Sequence, residues 1–274
     1  MTVPAVEITG VSKVFGTGGS GDVHALDGID LVVEAGQFVS LIGPSGCGKS
    51  TLLRLIADLL EPTTGDISVY GKPARAARRD QDYGIAFQAA GLLEWRTVVG
   101  NIELPLELHG ISKRDRRARA LELLELVGLP DFASHRPSQL SGGMQQRVAI
   151  ARALAEKPPL LLMDEPFGAL DEMTRERMQA ELVRICTETQ TTVVFVTHSI
   201  PEAVYLSDRV VVMSARPGRI SRIVDVELGP RVEGTRESTA FFAKITEVRA
   251  GLRGGPRAGQ VAVGEHPIGV VDSR

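Results

Sequence analysis

The residues with the most distinctive chemistry lie between Gly43 and Ser50, in the segment GPSGCGKS. Glycines in such a loop let backbone N–H groups converge on phosphate oxygens without interference from a Cβ atom. At this spacing the ammonium of Lys49 reaches β- and γ-phosphates, and the hydroxyl of Ser50 is a ligand for Mg²⁺. The segment therefore predicts a binding site for a nucleoside triphosphate and its magnesium ion.

The sequence on either side of this loop predicts the elements that a phosphate site needs. Residues 38–42 form a short apolar run typical of a buried strand, and residues 52–60 predict a helix that Pro62 ends. A helix N-terminus adds partial positive charge to the site. An ordinary glycine-rich turn is the alternative, and this strand–loop–helix context disfavours it. The predicted nucleotide-binding residues are Gly43, Pro44, Ser45, Gly46, Cys47, Gly48, Lys49, Ser50 and Thr51.

Two carboxylates follow the apolar run at residues 160–163, namely Asp164 and Glu165. The ends of strands in an α/β sheet are where ligand-contacting groups lie. We expect Asp164 to hold Mg²⁺, directly or through water, and Glu165 to polarise the water that attacks the γ-phosphorus. A solvated Asp–Glu pair is the alternative, and the preceding phosphate loop disfavours it.

The rest of the chain predicts an α/β fold that positions these groups. Alternating residues in the first forty positions indicate antiparallel strands joined by the glycine-rich segment 16–21. Continuous apolar runs at 160–163 and 192–196 are typical of a parallel sheet covered on both faces. We therefore expect a P-loop NTPase core, a mostly parallel sheet flanked by helices. An N-terminal antiparallel β-subdomain and an inserted α-helical subdomain complete the predicted fold.

Composition narrows the possible partners. The chain has 31 Lys and Arg against 34 Asp and Glu, and 4% aromatic residues, which disfavours a nucleic-acid surface. The two cysteines, Cys47 and Cys186, lack the spacing of a metal site. No apolar run approaches the roughly 20 residues of a membrane-spanning helix, so we expect any membrane role to come through a partner.

The segment LSGGMQQR at residues 140–147 resembles the signature motif of ATP-binding cassette (ABC) ATPases. The other motifs of that family appear along the chain in the expected order. Gln88 resembles the Q-loop glutamine, Asp171 the D-loop aspartate and His198 the switch histidine. Phe15 occupies the place of the family's adenine-stacking aromatic residue, although a core residue of an amphipathic strand is the alternative. On this resemblance, which covers residues 3–220, the chain is identified as a member of the family.

The resemblance implies a homodimer in which each ATP lies between the phosphate loop of one subunit and the signature of the other. The signature residues that would contact the nucleotide are Ser141, Gly142 and Gly143, and Asp171 belongs to the same interface. The resemblance also implies that His198 contacts the γ-phosphate and that Gln88 acts in catalysis and as a magnesium ligand. From the residues alone, Ser141 is an N-cap candidate for a helix over 144–155.

The segment GLLEWRTV at 91–98 resembles the nitrate, sulfonate and taurine importer branch, with Glu94 in place of the usual proline. The segment 213–220 and a predicted helix around Phe241 and Phe242 also resemble that branch. The implied partners are two integral-membrane permease subunits and, indirectly, an extracytoplasmic solute-binding protein. The implied location is the cytoplasmic face of the membrane. The implied cargo is a small solute, of the nitrate, sulfonate or taurine type or a pyrimidine precursor.

Several alternatives stay open at this point. The chain could be the ATPase of a separately encoded exporter, or a soluble ABC ATPase outside transport. Trp95 could be a core residue or could line the groove that receives a short helix of the permease. The predicted domains are an ABC ATPase domain over 3–225, with its helical subdomain at about 88–158, a C-terminal extension over 226–253 and a tail over 254–274. The Gly and Pro content of the tail predicts flexibility.

Overall fold

A computed structural model describes residues 3–16 and 21–253, and the predicted tail lies outside these residues. The N-terminal part forms a four-stranded antiparallel sheet in the order β2-β1-β4-β5. Val6 on β1 pairs with Val33 on β2 and with Val69 on β4. The expected antiparallel strands at the start of the chain are therefore confirmed. The strands are β1 (Val6–Phe15), β2 (Val23–Val33), β4 (Thr64–Val69) and β5 (Lys72–Pro73).

A second sheet of six strands, in the order β10-β9-β3-β8-β7-β6, forms the centre of the molecule. Its strands run parallel except β10, which pairs antiparallel with β9 at one edge. Every residue of β3, β7 and β8 is buried, as their continuous apolar runs predict. The strands are β3 (Phe38–Ile42), β6 (Tyr83–Ala86), β7 (Leu160–Asp164), β8 (Thr192–Val196), β9 (Arg209–Met213) and β10 (Ile220–Asp225).

Three helices lie between β6 and β7 in the sequence and contact one another, namely α3, α4 and α5. Gly128 follows α4 in the left-handed conformation that commonly ends a helix, with a φ of +68°. No helix among the described residues is both long and apolar enough to cross a membrane. The helices are α1 (Lys49–Ile56), α2 (Ala74–Asp80), α3 (Val98–Leu108), α4 (Lys113–Leu126), α5 (Gly142–Ala153), α6 (Glu172–Thr189), α7 (Ile200–Leu206) and α8 (Thr239–Arg253).

The predicted limits of the helix after the phosphate loop are wrong at both ends. Helix α1 begins at Lys49, and the N–H of Leu52 already donates to the carbonyl of Gly48. It ends at Ile56, well before Pro62, because Asp58 adopts the left-handed conformation with a φ of +48°. The loop therefore delivers Lys49 and Ser50 in the first turn of the helix.

Two hydrophobic cores lie on opposite faces of the six-stranded sheet. Phe38 and Ile42 face the core formed with α3–α8, whereas Val39 and Leu41 face the core formed with α1 and the antiparallel sheet. This alternation follows from the two-residue period of a strand. Helix α8 joins the first core through Phe241, Ile245 and Val248, whereas Phe242 is exposed. Adjacent helical residues are about 100° apart, so the face that buries Phe241 turns Phe242 towards solvent.

Candidate functional site: a phosphate-loop cleft

The phosphate loop connects β3 to α1 in a conformation that depends on glycine. Gly48 has a φ of +97°, and a Cβ there would lie 2.6 Å from Cδ2 of Leu26. A Cβ on Gly43 would lie 2.7 Å from Sγ of Cys47 and 2.8 Å from the carbonyl oxygen of Met213. Larger residues would therefore displace the loop from the strand and helix that hold it.

The side chain of Lys49 is folded back over its own loop. Its Nζ donates to the carbonyl oxygens of Gly43, at 2.9 Å, and of Pro44, at 3.2 Å. The buried thiol of Cys47 lies beside it, with Sγ 3.8 Å from Nζ. This arrangement holds the ammonium within the ring of loop backbone, where it can exchange two carbonyl contacts for stronger ones to phosphate oxygens.

Ser50 and Asp164 meet at the start of α1 and the end of β7. The hydroxyl of Ser50 donates to Oδ1 of Asp164 at 2.7 Å, and Asp164 is only 3% exposed. Burial raises the pKa of Asp164, and the hydrogen bond from Ser50 opposes that effect. In the described residues, no group of three or more His, Cys, Asp and Glu could hold a metal ion. The pair suits Mg²⁺, which takes oxygen ligands and keeps several waters.

Glu165 and His198 face each other across the ends of β7 and β8. Nδ1 of His198 lies 3.1 Å from Oε2 of Glu165, within hydrogen-bonding distance. The backbone of Glu165 has a φ of +48°, uncommon for a residue other than glycine, and its N–H donates to the carbonyl of Val196. This conformation directs the Asp164 and Glu165 carboxylates to different partners, one towards Ser50 and the other towards the histidine.

Lys49, Ser50, Glu165 and His198 line one cleft of about 570 Å³, and Asp164 lies behind its wall, bonded to Ser50. Phe15, Val23 and Ala25 line it together with the phosphate loop, and Gln88, Glu165 and His198 also contribute. Phe15 is 40% exposed, so its interpretation as a core residue is wrong. Nζ of Lys13 lies 5.1 Å from the centroid of its ring. The cleft thus combines an aromatic face with a phosphate loop and a carboxylate–imidazole pair.

The signature residues lie elsewhere on the surface. Ser141 caps α5 through a hydrogen bond from the N–H of Met144, as predicted, and Gly142 beside it is exposed. A Cβ on Gly143 would lie 3.0 Å from the carbonyl oxygen of Ala169, so the signature and the segment before Asp171 are neighbours. Asp171 caps α6 by accepting from the N–H of Thr174, and that hydrogen bond lowers the pKa of Asp171. Within the described part of the chain, the three signature residues and Asp171 do not line the cleft of their own subunit.

Two residues at the site were not predicted from the sequence. Arg216 lines the cleft, and its Nη2 lies 3.4 Å from the carbonyl oxygen of Gly46. Gln146 is buried in α5 and donates to the carbonyl oxygen of Phe87, next to Gln88. The charge of Arg216 and the position of Gln146 within the signature are visible in the sequence. The contact of Arg216 spans 170 positions of the sequence and that of Gln146 spans 59, and no local pattern reveals contacts over such separations.

The fold and the cleft together define a P-loop nucleotide-binding cassette with a helical insertion. The profile of the family described as "ABC transporter" matches residues 26–168. The chain belongs to the ABC transporter family and is an ATPase cassette of it.

The chain is similar to proteins of the branch predicted from the sequence. It is 47% identical to the taurine import ATP-binding protein of Rhizobium johnstonii, over 84% of this chain and 88% of that protein. It is 45% identical to the nitrate import ATP-binding protein of Synechocystis sp., over 91% and 95% respectively. A dimeric ATP-binding cassette solved in a post-hydrolysis state with ADP and Pi superposes with a TM-score of 0.75. That cassette is 37% identical in sequence to this chain, and the match covers 81% of this chain and 99% of the cassette. The predicted family, fold class and importer branch are confirmed.

Proposed function

We propose that this chain is the ATP-hydrolysing subunit that powers a membrane importer of a small solute. The solute is of the nitrate, sulfonate or taurine type, or a pyrimidine precursor. The observation that carries the hydrolytic role is the Glu165–His198 pair in the cleft that the phosphate loop lines. The import role is supported by the similar proteins named for taurine and nitrate import.

Each group in the cleft has a role that its chemistry supports. Phe15 stacks on the adenine, and Lys49 binds the β- and γ-phosphates. Ser50, Asp164 and Gln88 would hold Mg²⁺, which would neutralise charge on the phosphates. Glu165 accepts a proton from the attacking water, and His198 holds that water and the γ-phosphate in line. The 3.1 Å contact between the two side chains keeps both at the same end of the nucleotide.

The signature provides the second half of each site, from a second copy of the chain. Ser141 and Gly142 present the N-terminus of α5 to solvent, where its N–H groups can bind phosphate oxygens. Gly143 and Asp171 lie beside them. The similar solved cassette is dimeric with ADP and Pi, which supports a closed homodimer with two nucleotides at its interface.

The permease partner docks on the helical side of the cassette, at the cytoplasmic face of the membrane. A groove of about 300 Å³ lies there, lined by residues that include Tyr83, Phe87, Leu104 and Leu108. Arg152 lines the same groove and donates to the carbonyl oxygens at residues 90 and 91. Trp95 does not line this groove but is 71% exposed, so its interpretation as a core residue is wrong. A short amphipathic helix of a permease suits this apolar groove. The solute-binding protein would act on the permease from the other side.

The decisive test replaces Glu165 with glutamine. Glu165→Gln keeps the size of the side chain but cannot accept a proton as the carboxylate does. Lys49, Ser50 and Asp164 stay intact, so MgATP still binds. Each uncleaved ATP then holds two subunits together, and rising ATP favours the dimer by mass action. Light scattering with saturating MgATP should give the mass of two chains, while ATP turnover is lost.

Glu188→Gln is the matched control, because Glu188 is an exposed carboxylate that pairs with Arg184 near the C-terminal end of α6. We expect that variant to hydrolyse ATP at the wild-type rate and to show no trapped dimer. A Glu165→Gln chain that turns over ATP like wild type would contradict the role of Glu165. If the isolated variant stays monomeric, the measurement is repeated with the permease subunits. A monomeric cassette there as well would contradict the shared site.

A further inference from the structure

We propose that Arg236, in the C-terminal extension, is a positioning residue for His198 and acts through Gln179, Glu202 and Thr197. This inference rests on the proposed role of His198 in hydrolysis. It gives the C-terminal extension a part in the reaction, although the extension follows the last strand of the sheet and lines no part of the cleft in the described residues.

The first contact is between Arg236 and α6. Arg236 lies in a 3₁₀ turn, Thr235–Glu237, and its guanidinium lies 3.5 Å from the ring centroid of Tyr205. Its Nη2 donates to Oε1 of Gln179 at 2.6 Å. Stacking on the ring restricts the guanidinium to one plane, so that its donors point at a defined acceptor.

The second contact passes through a buried amide. Gln179 is 2% exposed, and its Nε2 donates to Oε1 of Glu202 at 2.8 Å. Arg236 can only donate and an ionised Glu202 can only accept, so the amide has one satisfactory orientation. With that orientation reversed, both hydrogen bonds would be lost. The arginine therefore determines which end of Gln179 faces Glu202.

The third contact reaches the residues on both sides of His198. The hydroxyl of Thr197 donates to Oε2 of Glu202, and the hydroxyl oxygen Oγ1 of Thr197 itself accepts from the N–H of Ser199 at 3.0 Å. One hydroxyl therefore joins the residue before the histidine to the residue after it. Glu202 is buried at 8% exposure and holds that hydroxyl in place. The backbone that carries His198 is consequently fixed by the relay Arg236–Gln179–Glu202–Thr197.

The site has room for movement if this relay is lost. A small cavity of about 100 Å³ is lined by Glu165, His198, Thr197 and Glu202 together with residues of the segment after β7. A loosened histidine loop can relax into that space. Misplacement of a reacting group by about 1 Å can cost up to 10²-fold in rate, so a small relaxation would be measurable.

The test compares Arg236→Ala with Arg222→Ala in the full-length chain. Arg222 is also a surface arginine of the C-terminal part, but it binds Glu247 and joins β10 to α8 instead. For Arg236→Ala we expect kcat to fall about fivefold to tenfold with the KM for ATP unchanged, because the nucleotide contacts stay intact. Arg222→Ala should leave both constants unchanged. Arg236→Lys, which keeps a donor for Gln179, should recover most of the lost kcat.

A double-mutant cycle then asks whether Arg236 acts through His198. In the His198→Ala background, measured over hours at high enzyme concentration, Arg236→Ala should change kcat less than about twofold. Gln179→Leu, which removes both hydrogen bonds at nearly constant size, should reproduce the loss seen with Arg236→Ala. Thermal unfolding of each variant provides the check on folding.

The outcomes separate the two proposals. If His198→Ala retains the wild-type kcat, the proposed role of His198 is wrong. If His198→Ala lowers kcat but Arg236→Ala lowers it equally in both backgrounds, the relay is wrong and the role of His198 stands. A fall in thermal stability with a parallel rise in KM, and no rescue by Arg236→Lys, would make Arg236 a structural residue only.

Discussion

The phosphate loop and the signature are both glycine-containing segments at helix N-termini, but their glycines have different physical reasons. At Gly43 and Gly48 a Cβ would collide with atoms of the same chain. At Gly142 a Cβ would meet no atom of the described chain within 4 Å. Glycine within a helix costs about 1 kcal/mol relative to alanine, and at Gly142 no contact in the described residues compensates. Contacts within one chain therefore explain the glycines of the phosphate loop, whereas the glycine at position 142 leaves room for a group that approaches from outside the chain.

The largest effect is expected in the phosphate loop, from Lys49→Ala. The substitution removes the cation that the loop carbonyls hold in place and that the phosphates require. We expect ATP turnover to fall by at least about 10³-fold, since a charge-assisted contact to the transferring group is lost. Phosphate release by the purified chain measures this, with Lys244→Ala as the control, because Lys244 pairs with Glu247 on α8. Turnover within tenfold of wild type would contradict the phosphate-loop assignment.

A smaller but more selective effect is expected from Gly142→Asp in the signature. Aspartate in the first turn of a helix is favoured by the helix dipole, so the thermal midpoint should stay the same or rise. The same charge would repel phosphate from a partner subunit, and we expect turnover to fall about 10²-fold. Calorimetry and phosphate release on the same preparation separate the two quantities. A loss of stability that accompanies the loss of turnover would mean that Gly142 has a role within its own chain.

The smallest effect, and the opposite selectivity, is expected from Gly48→Ala. Its φ of +97° and the close approach of Leu26 make alanine strained at this position. We expect the free energy of unfolding without nucleotide to fall by about 1–3 kcal/mol. Chemical denaturation of the free chain measures this, with Gly142→Ala as the matched control that should cause no loss. Equal stability of the two variants would remove the distinction between the two segments.

Local patterns in the sequence predicted much of the fold and the kind of site that the chain carries. The strands β3 and β8 begin and end where their apolar runs predict, because a strand buried on both faces needs continuous apolar residues. The motifs that identify the cleft also act locally. A phosphate loop and an N-cap each depend on a few consecutive residues and one adjoining helix, so their chemistry can be predicted before the fold is known.

Other elements were not predicted because their patterns depend on distant neighbours. The buried face of α6 contains Gln179 between Met178 and Leu182, and no simple apolar stripe marks it. That glutamine is buried because Arg236 and Glu202, 57 and 23 positions away, satisfy its amide. Phe242 and Trp95 are exposed because the segments that carry them turn other side chains towards the core, and that orientation is set by the packing of the whole chain.

The family, the phosphate loop and the residues that could bind ATP were all predictable from the amino-acid sequence alone. Each of these depends on residue types at fixed short spacing, which the backbone converts directly into geometry. Which of those residues share a cleft became clear only from the packed fold. It joined Ser50 to Asp164 and Glu165 to His198, and it left Ser141 and Gly142 on the surface. Contacts across more than thirty residues depend on how the sheet orders its strands, and that order is a property of the whole packed chain.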